Sequence, residues 1–117
     1  MPNNKQNVAL IKGFLNAFNQ HDLDGTMEYV ANEAVLIGNS GERFDGKHAI
    51  TKYIGKFFKG FPRVNANFNR ALFATEEWGF AEWTITEVGP IEIVGGDLFG
   101  FKDGQITFVN GLAKQAG

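Results

Sequence analysis

The spacing of apolar residues changes once along this chain, at Pro62, and that change restricts the fold more than any other feature. Before it, apolar side chains return every three to four residues, as one face of a helix requires; after it they return every two, as one face of a strand requires. Val8, Ile11, Phe14, Leu15 and Phe18 predict an amphipathic helix from about Asn4 to Asn19. Asp22 is a fitting N-cap for a short second helix through Leu23, Met27 and Val30. Ala34 to Ile37 reads as a short strand and Gly38-Asn39-Ser40-Gly41 as a loop. Asp45 is placed to cap a third helix with Ala49, Ile50, Tyr53, Ile54, Phe57 and Phe58 as its stripe, stopped by Gly60 and Pro62. Beyond that point Val64 to Ala74 alternates as one long strand. Phe80 to Val88 is another, with Ala81, Trp83, Ile85 and Glu87 on one face. After the Gly89-Pro90 turn, Ile91 to Phe101 and Gln105 to Ala113 complete a run of antiparallel strands. Helices first and strands afterwards indicate an α+β fold, with three N-terminal helices packed on one face of a curved antiparallel sheet.

A chain of 117 residues is expected to form one domain, residues 1–117, and can bury its core without disulfides or metal. It has no cysteine, which excludes thiolate catalysis and cysteine-ligated zinc. Eleven basic and 13 acidic residues are interspersed, so no footprint for nucleic acid or an anionic membrane is visible. Met1 leads into polar residues, and no apolar run is long enough to span a bilayer, so a cytoplasmic location is expected. No glycine-rich loop opens a helix, and the two histidines, His21 and His48, lack carboxylates at ligand spacing. The expectation is therefore no metal and no cofactor. Both histidines read as solvated residues at helix ends, and Arg70 as a snorkelling or interface residue. Twelve phenylalanines are more than a small core needs, which suggests a ligand cavity or a hydrophobic oligomer face.

The most informative stretch runs from Gly95 to Gly111, GGDLFGFKDGQITFVNG, two alternating segments around Asp103-Gly104. Asp97 shares a face with Phe99 and Phe101, so a carboxylate points where an aromatic sheet face would be buried. Among Phe99, Phe101, Trp83, Phe14 and Phe18, desolvation would hold Asp97 protonated near neutrality, ready to donate to a carbonyl oxygen or shuttle a proton. A structural carboxylate, hydrogen-bonded at the Gly95-Gly96 bend, is the other reading. The register is open as well. A two-residue turn puts Asn110 opposite Asp97, whereas a three-residue loop with a glycine bulge puts Val109 there.

The FDGKHAI start of the third helix, followed by AEWTIT and GDLFGFKDGQI on later strands, resembles the SnoaL-like polyketide cyclases of the nuclear transport factor 2-like superfamily. The resemblance extends from about Val8 to Leu112 and implies a cone-shaped α+β (cystatin-like) fold around a pocket. Compared with the related ketosteroid isomerases, Asp97 falls on the late-strand aspartate, Phe14 falls where a tyrosine would stand, and Ile37-Gly38 falls where a base would stand. A single aspartate as acid/base is what the polyketide cyclases imply. On this resemblance the catalytic candidate is Asp97, and Phe14, Phe18, Trp83, Phe99 and Val109 line a pocket for a small apolar or carbonyl-bearing molecule. Glu87 falls at the rim. The resemblance also implies a homodimer through the outer sheet face, to which Phe68 or Phe73, Leu98 and Phe108 would contribute.

Overall fold

The computed structural model describes residues 4–68, 71–86 and 92–115. Arg70, Glu87 and the Gly89-Pro90 turn lie outside the described residues. Helix α1 spans Lys5–Asn19, with Asn4 accepting a hydrogen bond from the Asn7 N–H at its N-terminus. Helix α2, Leu23–Met27, is capped by Asp22 through the Gly25 N–H. Strand β1 covers Val30–Ile37 and is twice as long as its apolar run suggests. A register irregularity between Val30 and Val35 hides the alternation that would mark a strand. The chain then forms β2, Arg43–Asp45, before α3, Lys47–Gly60.

Asp45 does not cap α3. It pairs with Arg43 across 3.0 Å, and the capping position is taken by Gly46 at φ +89°, which leaves the helix start without a side-chain cap.

The expected strand from Val64 to Ala74 is two strands, β3 at Asn65–Asn67 and β4 at Leu72–Ala74, both paired with β5 at Trp78–Thr86. Ala66 faces Ile85 and Leu72 faces Ala81, so two more residues pass on the β3–β4 side than on β5. A continuous ladder cannot absorb them. Strands β6, Ile93–Lys102, and β7, Gln105–Gln115, form the long hairpin. The sheet order is β2-β1-β7-β6-β5-β3, with β4 also on β5. It is a mixed sheet, not a wholly antiparallel one, because β1 runs parallel to β7.

Asp103 and Gly104 both take positive φ, 53° and 75°, so the hairpin closes on a two-residue turn with Lys102 opposite Gln105. The pairing then shifts between Gly100 and Phe101, where Thr107 is the extra residue on β7. The result corrects both registers expected from the sequence: Gly111, not Asn110 or Val109, stands opposite Asp97. The bulge lets Ile106 and Val109 both turn inward, to 0% and 6% exposure, and sends Phe108 to the other face.

The core lies between α1 and α3 on one side and the inner sheet face on the other, around Ile11, Leu15, Ile50, Ala81 and Phe99. The Asn19 side chain closes the far end by acting as a strand partner for β3, donating to the Ala66 carbonyl at 2.8 Å and accepting from its N–H at 2.7 Å.

Candidate functional site

A cavity of about 400 Å³ lies between the helices and the inner sheet face. α1 contributes Phe14 and Phe18, α3 contributes Tyr53 and Phe57, β5 contributes Trp83, and β7 contributes Val109. Period-two alternation turns Ala81, Trp83 and Ile85 inward from β5 and Asp97 inward from β6. Only four of the described lining residues carry a polar side-chain atom: Asn39, Tyr53, Trp83 and Asp97.

Asp97 sits between Ala81 on one neighbouring strand and Gly111 on the other. The glycine is what makes room for the carboxyl, since a Cβ added at Gly111 would lie 3.3 Å from Asp97 Oδ1. Trp83, two residues further along β5 than Ala81, donates its indole N–H to the carboxyl. Burial raises the Asp97 pKa from 3.8 to about 7, and the Trp83 hydrogen bond, which favours the charged form, pulls the other way. Asp97 is partly exposed to the cavity that it lines, but the protein packed around it governs its ionisation. A carboxyl that is close to half-ionised at neutral pH can donate to an oxygen and can also take up a proton.

Five of the six residues singled out in the sequence, Phe14, Phe18, Trp83, Asp97 and Val109, meet around this cavity. Phe99 does not line it. Its ring is fully buried, edge-on to Phe14 at 5.8 Å and beside Phe101 at 6.4 Å, so it supports the wall from behind. His21 is a structural residue and not a solvated one: Nε2 is 2.8 Å from the Val64 carbonyl and the ring stacks on Phe58 at 4.7 Å. His48 is exposed. Among the described residues no three histidine or carboxylate side chains cluster as a metal site would require.

Tyr53 is the cavity residue that the sequence concealed. On the helical stripe it counts only as an apolar position; in the fold it is half-buried, its ring stacks on Phe44 at 4.3 Å, and its phenol reaches Gly38. Burial raises its pKa first, and the charges of Glu42 and Asp97 raise it further. The available signal was a lone phenol in an otherwise hydrocarbon stripe.

The fold is shared with solved structures of low sequence identity. A nuclear transport factor 2-like protein of unknown function from Mesorhizobium loti superposes with a TM-score of 0.84 at 20% identity, covering 97% of each chain. A protein from Xanthomonas campestris pv. campestris provisionally named a polyketide cyclase gives 0.83 at 23% identity, over 95% of this chain and 92% of that one. One from Kribbella flavida provisionally named a ketosteroid isomerase gives 0.83 at 17% identity, over 97% and 81%. No curated protein matches the sequence. The sequence model described as the SnoaL-like domain matches residues 11–109, most of the chain and every element from α1 to the inward turn of β7 at Val109, and the protein belongs to the SnoaL-like domain family.

Proposed function

We propose that this protein takes up a small, largely apolar molecule bearing a carbonyl oxygen, and that Asp97 donates to that oxygen or moves a proton next to it, as ring closure and double-bond isomerisation require. The observation that carries the reading is a single carboxyl, with Trp83 on one side and Gly111 on the other, in a cavity whose wall is otherwise almost all hydrocarbon. A cavity of about 400 Å³ is within the range that holds small organic ligands. The names given to the Xanthomonas and Kribbella proteins agree with this chemistry. A second reading, binding without turnover, draws on Asp97 being the only carboxyl among the described lining residues, with Phe14 and Ile37-Gly38 where the resemblance to ketosteroid isomerases would put a phenol and a base.

Tetralin, which has no oxygen, and 1-tetralone, which adds a carbonyl, are the probes that separate these readings. The protein is expected to bind 1-tetralone more tightly than tetralin by roughly three- to tenfold, the worth of one hydrogen bond. Asp97→Leu should erase that preference while keeping tetralin binding, both followed by NMR titration. Equal affinity of the wild type for the two probes would sink the carbonyl assignment. Exchange of the hydrogens beside the 1-tetralone carbonyl in heavy water, lost in Asp97→Leu, supports turnover. Binding without exchange supports the second reading.

A second copy of the chain is the partner proposed for the outer sheet face. Phe73, Trp78 and Leu112 are each about half exposed there, and Phe80 and Phe108 lie against Phe73 and Trp78. Gly96 and Gly100 let the rings lie across the sheet; a Cβ at Gly96 would fall 2.4 Å from the Phe80 ring. A net charge of −2 does little to oppose self-association. Light scattering is expected to give twice the chain mass at micromolar concentration, and Trp78→Glu the chain mass. A monomeric wild type would refute the pairing.

A further inference from the structure

Tyr53 faces the same cavity as Asp97 but belongs to the opposite wall. It comes from the middle of α3, which packs over β1, whereas Asp97 comes from the sheet. Register links the two positions. Asp97 stands opposite Gly111 on β7, and the neighbouring β7 residue Asn110 stands opposite Ile37 on β1, one residue before Gly38. A Cβ at Gly38 would lie 3.1 Å from the Tyr53 phenol oxygen. Gly111 and Gly38 thus form a strip of wall without side chains, with the carboxyl at one end and the phenol at the other.

The two groups differ in what is already asked of them. Asp97 accepts from Trp83, and Trp83 has no further donor to offer. Tyr53 makes no hydrogen bond to another described residue. Among the described residues it is held by packing, with its ring stacked on Phe44. Glu42 is nearby, its Oε1 lying 3.6 Å from the position a Gly38 Cβ would take. Asn39, the remaining polar side chain of the wall, is exposed at the surface. A phenol fixed by its ring, open at its oxygen and turned to an apolar cavity is arranged to hold something that enters.

The geometry points to Tyr53 as the second polar contact of the ligand, so that the molecule taken up carries two oxygens on an apolar skeleton, one held at Asp97 and the other at Tyr53 across the Gly111–Gly38 strip. This deepens the proposed function and rests on it, since it assumes that a carbonyl-bearing ligand occupies the cavity. It adds a ligand class: hydroxyketones and diketones are selected over simple ketones of the same skeleton. Tyr53 acts here as a specificity contact, and the proton chemistry stays with Asp97.

The test extends the tetralone series by one oxygen. The 6- and 7-hydroxy derivatives of 1-tetralone place a hydroxyl on the ring far from the carbonyl, at two alternative positions. At least one is expected to bind the wild type three- to tenfold more tightly than 1-tetralone, the worth of one further hydrogen bond. Tyr53→Phe, which keeps the ring on Phe44, should remove that gain and leave the affinity for 1-tetralone unchanged. Asp97→Leu should do the reverse, lowering both affinities while keeping the preference for the hydroxyl. No gain from either hydroxyl in the wild type, or a gain that survives in Tyr53→Phe, overturns the assignment of Tyr53 and leaves the carbonyl reading intact. Failure of all the ketones to bind better than tetralin overturns both.

Discussion

Unfolding measured in denaturant across pH will show the wild type losing stability relative to Asp97→Asn as pH rises from about 4 to about 7. In the unfolded chain the Asp97 carboxyl titrates near its ordinary value of 3.8, and in the folded protein near 7. Below 3.8 both states hold the proton and Asp97 costs nothing. Between the two values the folded state holds a proton that the unfolded state has released, so each increment of pH favours unfolding. Above about 7 both states are ionised and the penalty is complete. The interval from 3.8 to about 7, at about 1.4 kcal/mol per pH unit, makes that penalty on the order of 4 kcal/mol. This is a large part of the total stability of a typical domain, about 5–15 kcal/mol. Asparagine keeps an acceptor for the Trp83 indole and never ionises, so the variant should gain on the wild type through this window. Carboxyl-carbon NMR should place the Asp97 midpoint near 7. A wild-type-minus-variant difference that stays flat from pH 4 to pH 8 would mean the carboxyl is solvated, and the site would lose its acid.

Phe99→Ala should cost about 3–5 kcal/mol, the range for deleting a large aromatic side chain from a packed core. The ring is 0% exposed and is the largest fully buried side chain among the described residues. It meets Phe14 edge-on, and Phe14 is the α1 residue that faces the cavity, so the sheet and the first helix lose their central contact together. Phe99→Leu, which fills most of the volume, should lose about 1–2 kcal/mol. Urea unfolding of the two variants checks both values. A loss below about 1 kcal/mol for alanine would show that the wall collapses without cost, and that Phe99 does not hold the cavity open. On the β6 inner face Phe99 backs the wall of the cavity, and Asp97, two positions away, faces into it.

Much of the fold could be read from short-range pattern. Helical spacing in Val8, Ile11, Phe14, Leu15 and Phe18 found α1 to within a residue, and Asp22 capped α2 as its position indicated. Alternation found β5 and β6 and assigned Asp97 to their inner face. Asp45 had the right chemistry for a cap and went instead to Arg43, two residues away on β2, a strand whose pairing with β1 no local pattern announces. The other misreadings share a physical cause: each involved residues whose role depends on a partner far away in the chain. Val64 to Ala74 alternated as one strand, but its partner β5 accepts it in two registers. Phe99 shared a face with Asp97 and was expected beside the ligand; helix α1, packing across that face, put Phe14 in front of it.

The sequence by itself determined the helices α1 and α3, the strands β5 and β6, where the hairpin turns, and that one carboxylate faces an aromatic interior. Those properties depend on periodicity and on Asp-Gly turn chemistry, which act over a few residues. Tertiary structure decided what surrounds the carboxylate. The extra residue at Thr107 moved Gly111 opposite Asp97, parallel pairing of β1 with β7 brought Gly38 alongside, and the packing of α3 laid Tyr53 against Gly38. Each of these is a choice among registers or orientations of nearly equal local energy, and only the burial of a whole face selects among them.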